Sequence, residues 1–263
     1  MTIRIYIAII IVLSAPFLLS STTRLSTEIP MVIDAPVPKT VLFVGNSLTN
    51  YNHSVDYHTR KLVESVYPQD ALQVYFKSIS ISGGYLADHV LGARALIMDY
   101  ENEKKHGPWD VVVLQGHSRE SIKALKVDRF EAAAYQLDAW SREAGSHTVL
   151  FMTWAYEHKP DMAPQLVEAY TALGNDLDAL VAPVGLAFDM ARNENTKIKL
   201  YAEDQKHPSL LGTYLTANVF FATLYGKSPE GASYRAGLGR EEATFAQHIA
   251  WKTVQAYFGK ERD

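Results

Sequence analysis

The sequence predicts a doubly wound, three-layer α/β/α sandwich on a five-stranded parallel sheet. Two observations lead there. Short apolar runs alternate with stretches of helical spacing, strand then helix, five times over, as a sheet covered on both faces requires. Right-handed crossovers then leave few topologies, and this is the simplest. Composition agrees: 48% of the 263 residues are hydrophobic and 21% charged, enough for a real core.

The elements follow in order. Val41-Leu42-Phe43-Val44 is an apolar run ending in Gly45, read as a buried strand. Val55 to Val66 has helical spacing. Leu72 to Ile79 alternates and contains β-formers. Tyr85 to about His106 has helical spacing (Leu86, Val90, Leu91, Ala95, Leu96). Trp109 to Leu114, WDVVVL, is the third strand. Val127 to Ala144 is a helix, His147 to Trp154 a strand, Asp161 to Leu180 a helix and Pro183 to Phe188 the last strand. Two helices close the chain, Ser209 to Tyr225 and Glu241 to Phe258. No internal repeat or second composition regime appears, so one domain is expected over residues 38–263.

The first residues read differently. Arg4 precedes an apolar run from Ile5 to Leu19, followed by Ser20-Ser21-Thr22-Thr23. That is the layout of a secretory signal. The run is short for a bilayer span and Pro16 interrupts it. Residues 1–30 are therefore expected to be a signal plus linker, with export to the periplasm or medium. A membrane anchor at residues 5–19 is the second reading, and the only expected membrane association. Residues 21–39, rich in Ser, Thr and Pro, read as the linker. The absence of Cys excludes disulfides, thiolate catalysis and Cys-based metal sites. A formal charge of −4 without a Lys/Arg run excludes a nucleic-acid footprint. The nine His show no metal-ligand spacing, so neither metal nor cofactor is expected.

In open parallel sheets, ligands bind beyond the carboxyl ends of the strands. The first strand is followed by Gly45-Asn46-Ser47-Leu48-Thr49: a Ser on a tight turn, or simply a helix cap. The second is followed by Ile81-Ser82-Gly83-Gly84, whose backbone N–H groups could face an oxyanion, or which is an ordinary Gly-rich loop. The third ends in Leu114-Gln115-Gly116-His117-Ser118, where Gln115 either enters the site or bonds loop backbone. Asp204-Gln205-Lys206-His207-Pro208-Ser209 precedes a late helix. An Asp three residues before a His can fix its tautomer and leave the other nitrogen as a base. Met152 to Tyr156 follows the fourth strand; Trp154 and Tyr156 are candidate substrate contacts, and core packing competes for Trp154.

In this order the segments resemble the SGNH/GDSL hydrolase superfamily. GNSLT (45–49) is similar to its G-D-S-L block with Asn for Asp, ISGG (81–84) to its Gly block, and DQKHPS (204–209) to its D-x-x-H block. The resemblance spans about residues 40–225. It departs in the third block, where LQGHS stands in place of G-x-N-D, similar to carbohydrate acetylesterases with a Q-G-E segment.

The resemblance implies a flavodoxin-like sandwich and a serine esterase. Ser47 is then the nucleophile, His207 the base and Asp204 its orienting group. The oxyanion hole comprises the Ser47 and Gly83 N–H groups and Gln115, with His117 as the rival. Asn46, Gly84, Trp154 and Tyr156 are the substrate contacts. The expected substrate is a short-chain, acetyl ester of an envelope or extracellular glycan. Lysophospholipase, thioesterase or acyltransferase activity on the same triad, and a non-catalytic glycan-binding protein of this fold, are the alternatives.

Overall fold

A computed structural model of the chain describes residues 37–69, 73–99 and 104–259. The expected signal and most of the linker lie outside the described residues. Among those described, no helix is long and apolar enough to cross a membrane.

The five strands are β1 (Thr40–Gly45), β2 (Tyr75–Ser80), β3 (Val111–Leu114), β4 (His147–Phe151) and β5 (Leu180–Ala182). They pair in parallel in the order β2-β1-β3-β4-β5. The connection reverses direction between β1 and β3, which opens a crevice at their carboxyl ends.

The helices are α1 (Ser47–Asn50), α2 (Val55–Val66), α3 (Val90–Ile97), α4 (Val127–Glu143), α5 (Met162–Leu177), α6 (Val184–Glu194), α7 (Leu210–Tyr225) and α8 (Arg240–Tyr257). Strand alternation divides the apolar side chains into two cores. Val41, Phe43, Val111, Val113, Val149 and Phe151 face α2, α6, α7 and α8. Leu42, Val44, Val112, Leu114 and Leu150 face α3, α4 and α5. Helix α7 is buried on every side from Leu211 to Tyr225, as its all-round apolar sequence demands. Its polar residues bond inside the helix, Thr216 Oγ1 to the Gly212 carbonyl at 2.9 Å and Asn218 Nδ2 to the Tyr214 carbonyl at 2.7 Å.

The expected strand at Pro183 to Phe188 is overturned. The strand is Leu180–Ala182, and Pro183 caps α6. Proline has no N–H for a ladder but suits a helix start. Val184, Ala187, Phe188 and Ala191 are buried behind it at helical spacing, with Gly185 beside them. The expected long helix from Tyr85 begins as a 3₁₀ turn, Leu86–His89, before α3.

Helix α7 approaches the chain carrying the D-x-x-H segment with no room for a side chain. A Cβ on Gly212 would overlap the Leu200 carbonyl oxygen and crowd Phe188 and Pro208. Helix propensity alone favours Gly212→Ala by about 1 kcal/mol. Overpacking costs about 1–3 kcal/mol and should prevail. Urea denaturation of Gly212→Ala is expected to show net destabilisation; a gain in midpoint would mean that the 199–201 segment moves aside freely.

Candidate active site

The Asp204–His207 segment is built on a closed turn. Tyr201 and Pro208 form an antiparallel bridge, the Ala202 N–H donates to the His207 carbonyl at 2.8 Å, and the Ser209 N–H to that of Leu200 at 2.9 Å. Gln205 sits at φ 61°, the left-handed residue that closes the turn. Ser209 caps α7, its Oγ accepting from the Gly212 N–H at 3.1 Å. Two bonds tie the turn to the loop after β4: Trp154 Nε1–H donates to the Lys206 carbonyl at 2.9 Å, and the Glu157 N–H to that of Gln205 at 3.0 Å.

This turn meets Ser47 at the start of α1. Ser47 Oγ lies 2.8 Å from His207 Nε2, and His207 Nδ1 lies 2.5 Å from Asp204 Oδ2. Asp204 Oδ1 accepts from the backbone N–H of His207 at 2.9 Å and of Lys206 at 3.0 Å. Desolvation pushes the Asp204 pKa up. The bond from the His207 ring and the two backbone N–H groups outweigh it and bring the value down to about 2. The carboxylate stays charged wherever an imidazole titrates, so the His207 Nδ1 proton always has an acceptor. Tyr51 stacks on the imidazole, ring centroids 4.4 Å apart and 12° from parallel.

The pocket in front of Ser47 has a volume of about 320 Å³. Among the expected site residues, Asn46, Ser47, Gly83, His117, Tyr156 and His207 line it. Gly84, Gln115, Trp154 and Asp204 do not.

Gln115 is 1% exposed. Its Oε1 accepts from the Asn46 N–H and from Thr49 Oγ1, both at 2.9 Å. Its Nε2 donates to Asn46 Oδ1 at 3.1 Å and to the Gly116 carbonyl. Both amide hydrogens are spent, so the expected oxyanion role of Gln115 does not fit. Trp154 is 1% exposed and stacks on Phe188 at 4.4 Å. It anchors the triad turn and does not reach substrate space. Gly84 supplies a carbonyl to Asn46 Nδ2 at 2.9 Å.

The structure adds residues that sequence reading missed. Glu120 is 1% exposed, and its Oε2 accepts from the Leu86 N–H at 3.0 Å and the His117 N–H at 2.8 Å. It joins the loops after β2 and β3. Burial raises its pKa against the pull of those two N–H groups. Asn52 Nδ2 donates to the Pro208 carbonyl at 3.0 Å and Thr213 Oγ1 at 2.8 Å, fixing the segment that holds Tyr51 over the imidazole. Asn52, His53 and Ser54 all have positive φ. Asn and His tolerate it better than Ser, so the strain is greatest at Ser54, φ 75° and ψ 149°, and is held by these contacts.

Ser47, His207 and Asp204 thus form one hydrogen-bonded line at the carboxyl edge of a parallel sheet, the arrangement that serine hydrolysis requires. No family model and no curated protein matches the sequence. Solved structures do. One is a DUF4886 family protein from Bacteroides uniformis, with TM-score 0.66 and 18% identity over 85% of this chain and 96% of that one. A second, from Slackia heliotrinireducens, is described as an SGNH hydrolase, with TM-score 0.55 and 25% identity over 71% of this chain and 99% of that one. A third is a variant of Axe2, an acetyl xylan esterase from Geobacillus stearothermophilus, with TM-score 0.53 and 17% identity over 71% and 94%. The fold is the one these structures share, and the segments at 45–49 and 204–209 resemble the SGNH/GDSL blocks named above.

The Asp204 carboxylate supports the folded turn above the ordinary carboxylate value of 3.8, and that contribution is lost as pH falls towards about 2. A carboxyl-carbon NMR titration should place its midpoint near pH 2. His207→Ala should move it upward. A midpoint indifferent to His207→Ala would show that the imidazole does not depress it.

Proposed function

We propose that this protein is an exported serine esterase that removes a short acyl group, in the first place acetyl, from a glycan. The observation that carries the reading is the continuous Ser47–His207–Asp204 relay opening on a small pocket. His207 Nε2 takes the Ser47 proton as Oγ attacks the ester carbonyl. The alcohol leaves with that proton, and an acyl-enzyme remains on Ser47. His207 then deprotonates water, which releases the acid and restores Ser47.

The tetrahedral oxyanion is held by the N–H groups of Ser47 and Gly83 and by His117. The Ser47 N–H, at the first position of a helix, has no intrahelical acceptor. His117 takes the place first assigned to Gln115. Burial lowers its pKa, and the nearby Arg119 and Lys123 lower it further. Its ring is therefore neutral at pH 7 and keeps one N–H to donate. The ring lines the pocket and stacks on Tyr85 at 5.0 Å.

Pocket size favours a short acyl group, since about 320 Å³ lies at the lower end for small-molecule sites. The acetyl xylan esterase among the similar structures points the same way. The basic start and apolar run of residues 1–20 support export.

Hydrolysis of p-nitrophenyl acetate, butyrate and octanoate is the first test. Turnover is expected to fall with chain length and to be abolished in Ser47→Ala. His117→Ala should lose about 10²–10³ in kcat, the usual cost of one oxyanion donor. Gln115→Ala should destabilise the fold by about 1–3 kcal/mol through unmet hydrogen bonding, with any loss of turnover accompanied by that loss of stability. Wild-type turnover in Ser47→Ala would overturn the mechanism, and wild-type kcat in His117→Ala would remove that residue from the oxyanion hole.

A further inference from the structure

Basic side chains stand on two sides of the pocket. Lys206 lines it, with its ammonium 5.4 Å from the centroid of the Tyr156 ring. Lys206 is placed by main-chain bonds alone: its N–H donates to Asp204 Oδ1, and its carbonyl accepts from Trp154. Its side chain is thus free of any duty in the turn. Glu203 and Glu157, close in the chain to the turn and to Tyr156, form no ion pair with it among the described residues. The ring beneath the ammonium is itself fixed, Tyr156 Oη lying 2.7 Å from Ser118 Oγ.

The opposite wall carries the same sign. His117 feels Arg119 and Lys123. Tyr85, stacked on His117, has the Lys126 ammonium 4.6 Å from its ring centroid. Asp204 keeps its charge, but its oxygens already accept three bonds within its turn. Glu120 is buried behind the loop, and Asp88 is paired with Arg129. The chain as a whole carries −4, so this grouping of basic side chains runs against its average.

Resting on the esterase reading above, we infer that the natural substrate is an acylated acidic glycan, and that Lys206 selects it by pairing with an anionic group beside the acylated sugar. A carboxylate is the first choice. Sulfate offers the same charge to an ammonium, which reads anions as a point charge and not by a bidentate fork. The Tyr156 ring offers the sugar an apolar shelf under that charge. Lys206 is a specificity residue in this scheme: the bonds that form and break remain those at Ser47.

The test compares kcat/KM on three acetylated oligosaccharides of equal length: one of uronic acid units, one sulfated and one uncharged. Wild type, Lys206→Gln and Lys206→Arg are assayed at low ionic strength and at ~1 M salt, where screening acts within about 3 Å. p-Nitrophenyl acetate and Ser47→Ala run alongside. The expected result is a preference of about fivefold for the uronic acid ester, the scale of an exposed ion pair. It should vanish in Lys206→Gln and in high salt and persist in Lys206→Arg. A larger preference for the sulfated ester, with the same dependence on Lys206, would replace carboxylate by sulfate as the group read. Equal kcat/KM on charged and uncharged esters, or a preference untouched by Lys206→Gln, would overturn the inference and leave the esterase standing. So would Ser47-dependent p-nitrophenyl acetate hydrolysis with no glycan ester cleaved. Loss of every ester activity would remove the esterase reading, and this inference with it.

Discussion

The place of Ser47 depends on one buried amide. Gln115, at the end of β3, both accepts from the Asn46 N–H and donates to the Asn46 side chain, and it accepts from Thr49 as well. The turn after β1 and the first turn of α1 are thereby fastened to the neighbouring strand. Gly45 makes the approach possible. A Cβ there would come within 2.5 Å of both Gln115 Oε1 and Thr49 Oγ1. Each bond is worth about 0.5–1.5 kcal/mol net, but leaving such a buried group unpaired costs about 1–3 kcal/mol. The arrangement is held more by what its loss would expose than by what its formation gains.

The other site loops follow the same rule. Glu120 joins the loop after β2 to the loop after β3 through two backbone N–H groups. The Trp154 indole joins the loop after β4 to the triad turn. Asn52 joins the segment after α1 to Pro208. The sheet supplies stable strand ends, and these bonds set the distances between the loops that leave them. Reacting groups must be held to within fractions of an ångström for catalysis. Loops tied to one another by buried polar side chains meet that demand better than loops packed only by apolar contact, which is not directional.

Much of this was legible in the residues. Uninterrupted apolar runs mark parallel strands, and β1 and β3 were found on that signal. The Ser after β1, which alone also reads as a helix cap, is paired with the Asp and His three residues apart by the joint order of the segments at strand ends and by the family resemblance. Two kinds of feature stayed hidden. Leu180–Ala182 has three residues, too few for a periodicity, and its neighbour Pro183 begins a helix, so strand and helix were exchanged there. Residues acting through long-range bonds were also missed or misassigned. Gln115 was recognised as a polar group at a strand end, but its partner is 69 positions away. Trp154 was read as a substrate contact, and its role depends on Lys206, 52 positions on. Glu120, a charged residue in a polar loop, reads as surface, and only the packed structure shows it buried. Spacing along the chain carries no information about such pairs.

The two departures from the superfamily's motif blocks belong together. Asn46 stands where G-D-S-L has Asp. Its Nδ2 donates to the Gly84 carbonyl, while its Oδ1 accepts from the Leu48 N–H and from Gln115 Nε2. A carboxylate here could keep the two bonds to Oδ1. Its second oxygen would then face the Gly84 carbonyl, acceptor against acceptor, in a site only 2% exposed. Asn46 therefore suits a Gly loop whose carbonyl turns toward β1. Gln115 is the complement, for it too offers one acceptor and one donor and meets Asn46 with both. That reciprocity consumes the amide that could have served the oxyanion. Under the proposed mechanism the side-chain donor comes from further along the same loop, where His117 lines the pocket with its backbone held by Glu120. The Asn beside Ser47 and the Gln in the third block are thus coupled by one reciprocal pair of buried bonds.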